Sequence, residues 1–197
     1  MASEPAEICD DRCYVALTHG YLNSQEIMDR VRSPQAGAIV LFAGTTRDNF
    51  AGKPVKELQY SAYSQLALKT MMSICKDILA KHGLKGIAMI HRLGTVPIGE
   101  ESILIAVSAP HRQAAWKAAE EALEDCKERV EVWKREEFEG DHGVWRANRD
   151  GAQGQKVSDG PTDVQEHGTR FGPVLRPQRP GERGHGPVVH PKPPAQP

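Results

Sequence analysis

Residues Ser108–Glu137, SAPHRQAAWKAAEEALEDCKERVEVWKREE, change their hydrophobic period part-way along, and that change sets the fold class. Up to Arg129 the apolar residues Ala115, Trp116, Ala119, Ala122, Leu123 and Cys126 step by three and four, which predicts a helix with this series on its buried face. From Val130 the period falls to two, placing Val130, Val132, Lys134 and Glu136 on one side of a predicted strand. Ser108 or Ala109 is expected to cap the helix, with Pro110 in its first turn, so that it starts at about residue 109.

The two ends of that helix carry the candidate chemistry. A helix amino end holds roughly half a positive charge, which disfavours His111 and Arg112 there unless the exposed N–H groups and Arg112 bind an anion. A phosphate or carboxylate is the expected ligand; the alternative is a solvated Arg112 beside a packed His111. Lys127 follows Leu123 by four residues and adjoins Cys126, on the border of the buried stripe. Partial desolvation there lowers the pKa of an amine and frees it to act as nucleophile or base. Lys134 shares a strand face with two valines. Taken singly, each lysine reads more readily as the solvated end of an amphipathic side chain; taken with His111 and Arg112, they read as a site.

Outward from this segment the periodicities give a coarse order of elements. Arg12–His19 reads as a strand, and Asn23 or Ser24 caps a short helix to Ser33, with Glu26 in capping-box position. Gly37–Gly44, GAIVLFAG, is a continuous apolar run that predicts a central strand buried on both sides, feeding a polar loop that begins Thr45-Thr46-Arg47. Arg47 is a ligand-contact candidate by its place in that loop, or a surface arginine paired with Asp48. Val55–Tyr63 is a strand, Ser64–His82 a helix ended by Gly83, and Gly86–Leu93 and Glu101–Ala109 are strands joined by a loop over Gly94–Glu100. His91-Arg92 lies within a strand and reads as structural. A turn over Glu139–Gly143 and a last strand, Val144–Ala147, complete an α+β domain: two main helices against a mixed sheet.

Composition divides the chain into an acidic, flexible start (1–11), one domain (12–150) and a tail (151–197) that holds eight Gly and nine Pro and reads as disordered. A net charge of −1, from 25 basic and 26 acidic residues, gives no field of the kind a nucleic-acid binder uses. No run approaches the ~20 apolar residues that span a bilayer. The start lacks a secretory or transit pattern, and Cys9, Cys13, Cys75 and Cys126 show no disulfide or zinc spacing, so a reduced, cytosolic protein is expected. Phosphate-loop, GxGxxG, GxSxG and HExxH motifs are absent from the sequence.

Four blocks, Gly37–Arg47 (GAIVLFAGTTR), Ile90–Gly94 (IHRLG), Ser108–Arg112 (SAPHR) and Val132–Glu136 (VWKRE), in this order strongly resemble the large, catalytic subunit of molybdopterin synthase. The resemblance runs from about residue 12 to residue 150. It implies transfer of sulfur to cyclic pyranopterin monophosphate, forming the dithiolene of molybdopterin in molybdenum cofactor biosynthesis. The donor would be the carboxy-terminal thiocarboxylate of a small ubiquitin-like subunit, and two large and two small subunits would form a heterotetramer. Residue by residue, His111 and Arg112 would hold the substrate's cyclic phosphate, and Arg47 would be a substrate-binding pocket arginine that could reach across the dimer interface. Lys127 would be the main catalytic group, as base or as electrostatic partner of a tetrahedral intermediate. Lys134 would orient substrate or thiocarboxylate, with Arg135 and Glu136 on the same wall, or Glu136 instead serving as a lysine's structural partner. Neither metal nor redox cofactor is implied, and the cysteines need not carry sulfur. Two other classes compete: a non-catalytic scaffold for a phosphorylated metabolite, and a partner protein acting through its Pro-rich tail.

Overall fold

Alternation within CYVALT decides which helix covers which face of the main sheet. The computed structural model describes residues 6–50, 52–138, 143 and 145–148, all in the first of two units, Met1–Asp159. The tail and Gly160–Pro197, the second unit, lie outside the described residues, as do the turn at 139–142 and Val144. Strands β1 (Ala6–Asp10), β2 (Cys13–Thr18), β3 (Ala38–Thr45), β6 (Gly86–Arg92) and β8 (Glu101–Ala109) form one sheet in the order β1-β2-β6-β8-β3. Only β2 and β6 pair in parallel. Cys13, Val15 and Leu17 point to one face with Ile87, Met89, Ile105 and Val107, while Tyr14 and Ala16 point to the other with Ala88, Leu104 and Ala106.

Three helices cover these faces. Helix α1 (Ser24–Arg30) lays Ile27 on the second face; Asn23 caps it, accepting from the N–H groups of Gln25 and Glu26. Glu26 does not close the expected capping box but pairs with Arg30. Helices α2 (Ser64–His82) and α3 (Arg112–Arg129) cover the first face. In α2, Leu68, Met71, Met72, Cys75 and Ile78 are buried, and Gly83 ends it at φ +62°, a left-handed cap that glycine adopts without a Cβ penalty. A second sheet, β10-β9-β5-β4, holds β5 (Lys53–Ala62), β9 (Val132–Phe138), β10 (Trp145–Ala147) and β4 (Asn49–Phe50), with β7 (Gly94–Pro97) paired to β5.

The class is α+β, with two sheets in place of the one expected. The GAIVLFAG strand is not central: β3 lies at the sheet edge beyond β8, and only Val40 of its apolar residues is fully buried. A run apolar on both faces records cover above and below the sheet and says nothing of neighbours within it. The start expected to be flexible forms β1, held by Tyr14 donating to Glu7 (2.6 Å) and by an Asp10–Lys76 ion pair. Ser108 and Ala109 do not cap α3, because both still pair with β3. His111 is the N-cap residue, extended and without a side-chain cap bond, so Pro110 precedes the helix. At the turn between β8 and α3, a Cβ on Gly37 would stand 2.6 Å from the Pro110 carbonyl oxygen, so the chains approach too closely there for any other residue. Trp116 is 63% exposed, and Ala118 takes the buried place expected for it.

Burial sets the chemistry of two residue types. Cys13, Cys75 and Cys126 are buried and their thiol pKa values raised by desolvation, Cys126 to about 12, whereas Cys9 is exposed. Titration of the folded chain with a thiol reagent is therefore expected to modify Cys9 alone, the other three reacting only after denaturation. His91, fully enclosed in β6, has its pKa lowered by burial from 6.5 to about 4. The unfolded chain then binds a proton that the fold excludes, so stability held above pH 6.5 is lost as pH falls towards 4. Urea unfolding at pH 7 and pH 4.5 should show wild type losing about 2–3 kcal/mol more than His91→Gln, and equal losses would contradict this burial cost.

Candidate active site

A cavity of about 620 Å³ opens where the end of α3 meets the second sheet and the β3 edge. Its size suits a small-molecule ligand. Leu123 and Lys127 enter from the last turns of α3, and Lys134 and Glu136 enter from β9. The antiparallel pairing of β9 with β5 sets Lys134 opposite Tyr60 and Glu136 opposite Leu58, and all four line the cavity. Gly44, Thr45 and Arg47 close another side.

The lining has one dominant sign. Among the described residues, Arg47, Lys127 and Lys134 bring three cationic side chains and Glu136 one carboxylate to the lining, a balance that favours an anionic ligand. Glu136 is 7% exposed, while Lys127 and Lys134 are half-buried. The carboxylate of Glu136, on β9 beside β5, offsets part of the positive charge that Lys127 and Lys134 bring to the lining.

The loop carrying Arg47 is braced from the core. The Thr46 N–H donates to the Glu100 carbonyl (3.1 Å), its own carbonyl accepts from the Gly99 N–H (2.9 Å), and its hydroxyl donates to the Val96 carbonyl (3.3 Å). The Glu100 carboxylate accepts from Arg92 Nη1 at 2.6 Å, and Arg92 Nη2 donates to the Thr95 carbonyl at 3.2 Å. Arg92 is itself buried, with its guanidinium over the Tyr21 ring. The exposed Arg47 therefore follows a residue whose backbone is tied to Gly99 and to Glu100, the partner of buried Arg92, and Asp48 accepts from Asn49 (2.7 Å).

Three expected members, Arg135, His111 and Arg112, fall elsewhere. Arg135 points to the opposite face of β9, where it donates to Gln59 (2.7 Å), pairs with Glu137 and lies over Trp145. Neighbours on a strand face opposite ways, so Arg135 and Glu136 do not share a wall. His111 and Arg112 are exposed at the start of α3, fifteen residues before Lys127 and thus ~22 Å along the axis at ~1.5 Å per residue, outside this cavity. Conversely, sequence reasoning passed over Tyr60, His91, Ser102 and Asn148, which also line it. His91 had a signal, a polar-tipped aromatic in the largely apolar strand GIAMIHR; Tyr60, in the polar-rich strand KPVKELQYSA, and Asn148, just past a three-residue strand, had none.

Residues 17–129 match the family described as MoaE protein. Over 190 residues the chain is 67% identical to a molybdopterin synthase catalytic subunit of Sclerotinia sclerotiorum, covering 96% of each chain. A subunit of the same name from Pyricularia oryzae is 69% identical over 157 residues, 80% of this chain and 86% of that one. Among solved structures, molybdopterin synthase from Staphylococcus aureus aligns at TM-score 0.63 and 32% identity, covering 66% of this chain and 94% of that chain. The complex of subunits 1 and 2 of molybdopterin-converting factor from Helicobacter pylori shares the fold at TM-score 0.55 and 22% identity, over 65% of this chain and 87% of that chain. Identity this high along nearly the whole of both chains, on a fold that its solved relatives share, places the chain in the MoaE family of molybdopterin synthase catalytic subunits.

Proposed function

We propose that this chain is the sulfur-transferring subunit of a cytosolic molybdopterin synthase. It would take sulfur from the carboxy-terminal thiocarboxylate of a small ubiquitin-like subunit and deliver it to cyclic pyranopterin monophosphate. The observation that carries this reading is the convergence of Lys127, Lys134 and Arg47 in one cavity. Both reactants, a thiocarboxylate and a cyclic phosphate, are anions. Bringing two anions together in a half-buried site is unfavourable unless fixed cations offset their repulsion, and three such side chains are in place.

Within this reading Lys127 stands nearest to the work of transfer. Its amine extends from the last turn of α3 beside the apolar Leu123, where it can hold charge developing on the acyl carbon's oxygen or take up a proton. Lys134, fixed by the β5–β9 ladder, orients the substrate, and Arg47 takes the phosphate. Glu136 keeps the lysine wall from excess positive charge. Because α3 holds His111 and Arg112 ~22 Å from Lys127, any phosphate they share with Lys127 requires a second copy of the chain, which the expected pairing of two large subunits would supply. The thiols of Cys13, Cys75 and Cys126, enclosed and protonated at neutral pH, are unsuited to carrying sulfur.

Purified chain mixed with thiocarboxylated small subunit should convert cyclic pyranopterin monophosphate to molybdopterin, and Lys127→Ala should lower the turnover by about 10²–10⁴-fold with the complex intact. Lys134→Ala should mainly raise KM, by about tenfold or more, as expected for loss of a charge-assisted contact. A folded wild type that binds the small subunit and yields no molybdopterin would leave a phosphometabolite-binding scaffold as the better reading.

A further inference from the structure

His91 and Asn148 are the cavity-lining pair that the proposed chemistry leaves without a task, and their hydrogen bonds constrain each other. His91 Nδ1 lies 2.8 Å from the Arg92 carbonyl oxygen. A carbonyl oxygen only accepts, so Nδ1 carries the proton and Nε2 is a bare acceptor in the neutral ring. Asn148 Nδ2 lies 3.4 Å from that Nε2, and the only compatible arrangement is Asn148 donating to it. The contact fixes which end of the carboxamide is nitrogen, an assignment otherwise left open. The backbone beneath is held as well, since the Asn148 N–H donates to the Val132 carbonyl at 3.1 Å. Tyr60 meets the His91 ring edge-on, with centroids 4.9 Å apart, which prevents the imidazole from turning.

An asparagine that spends one N–H on His91 keeps its carbonyl oxygen and its second N–H. Asn148 is half-buried and lines the cavity, so this remaining edge is available to a ligand there. We propose that Asn148, oriented by His91, reads the substrate's heterocycle by pairing its acceptor and donor with an amide-type N–H and C=O edge. The inference rests on the synthase reading, and the pyrimidinone ring of a pterin presents an edge of this kind. It gives the cavity a neutral recognition element beside its three cations: the cations take the charged parts of the reactants, and Asn148 takes the ring. The low pKa of His91 supports the arrangement, because the ring stays neutral and Nε2 keeps accepting from Asn148 across the working pH range. His91 is a positioning residue here, 1% exposed, with Nδ1 against the Arg92 carbonyl and Nε2 against Asn148.

The test is steady-state conversion of cyclic pyranopterin monophosphate by the full chain with thiocarboxylated small subunit, for wild type, Asn148→Leu, His91→Phe and the double variant. Leu removes both polar atoms at similar volume, and Phe keeps the packing against Tyr60 while removing Nε2. The expected result is a KM about tenfold higher for Asn148→Leu with a much smaller change in kcat, and a rise in the same direction for His91→Phe. Adding His91→Phe to Asn148→Leu should raise KM no further, because the histidine acts only through the asparagine. Should Asn148→Leu fail to fold by its thermal melt, Asn148→Ala carries the same expectation. Conversion by wild type with KM unchanged in the Asn148 variant overturns this inference alone, as do fully additive effects in the double variant. Failure of wild type to convert overturns it together with the reading it rests on.

Discussion

Everything at the cavity depends on one join, the passage from α3 into β9 at Arg129–Val132. The Val130 N–H still bonds to the Cys126 carbonyl (3.1 Å) as the last act of the helix, while the Val132 N–H bonds to the Val130 carbonyl (2.8 Å) as the strand begins. Both valines are buried, so the join is clamped in the core. Lys127 lies two residues before Arg129 and Lys134 two after Val132. A helix turning 3.6 residues per turn and a strand alternating every two bring side chains seven residues apart to the same wall only when the join is fixed. Pairing of β9 with β5 then sets the depth of Lys134, and packing of α3 on the first sheet sets that of Lys127.

The surrounding structure makes a charged wall tolerable. Three cations face a cavity whose described carboxylate is buried, and the loop bearing Arg47 is tied at Thr46 to the backbone of Glu100, the partner of buried Arg92, so the backbone that carries Arg47 is set before a ligand arrives. Preorganisation of this kind places the reorganisation cost in folding instead of in binding. The dipeptide His91-Arg92 serves both sides of the arrangement from adjacent positions. Arg92 braces the Arg47 loop through Glu100, and His91 meets Asn148 at the opposite wall. Both lie in β6, a strand buried along its whole length, which is the reason two polar side chains can be held so rigidly.

Much of this was legible because periodicity reports which side of an element is covered. Helix α2 could be read from Ser64 to the glycine that ends it, and the switch of period at Val130 places Lys134 and Glu136 on one face of β9. What periodicity does not carry is neighbourhood. GAIVLFAG reads as central although β3 is an edge, and two sheets read as one, since strand order depends on long-range pairing that leaves no local mark. The start of α3 was misplaced because two small residues, Ser108 and Ala109, serve a strand end as well as a helix cap. At the site, Arg47, Lys127, Lys134 and Glu136 line one cavity, and Arg135 does not, by the same two-residue period that placed its neighbour. His111 and Arg112 carry the signal of an anion site that the single chain keeps apart from the lysines. Asn148 could not have been found from sequence, for its part depends on a histidine 57 positions away.

The central claim is that one cavity, walled by Lys127 and Lys134 together, receives the anionic substrate. Lysine footprinting tests it most directly: reductive methylation of the full chain with and without saturating cyclic pyranopterin monophosphate, each lysine quantified by peptide mass spectrometry. The account predicts that Lys127 and Lys134 are protected together, while Lys53 and Lys56, outside the cavity on β5, are methylated as before. Protection of neither lysine at a substrate concentration that saturates binding, or of one without the other, would contradict it.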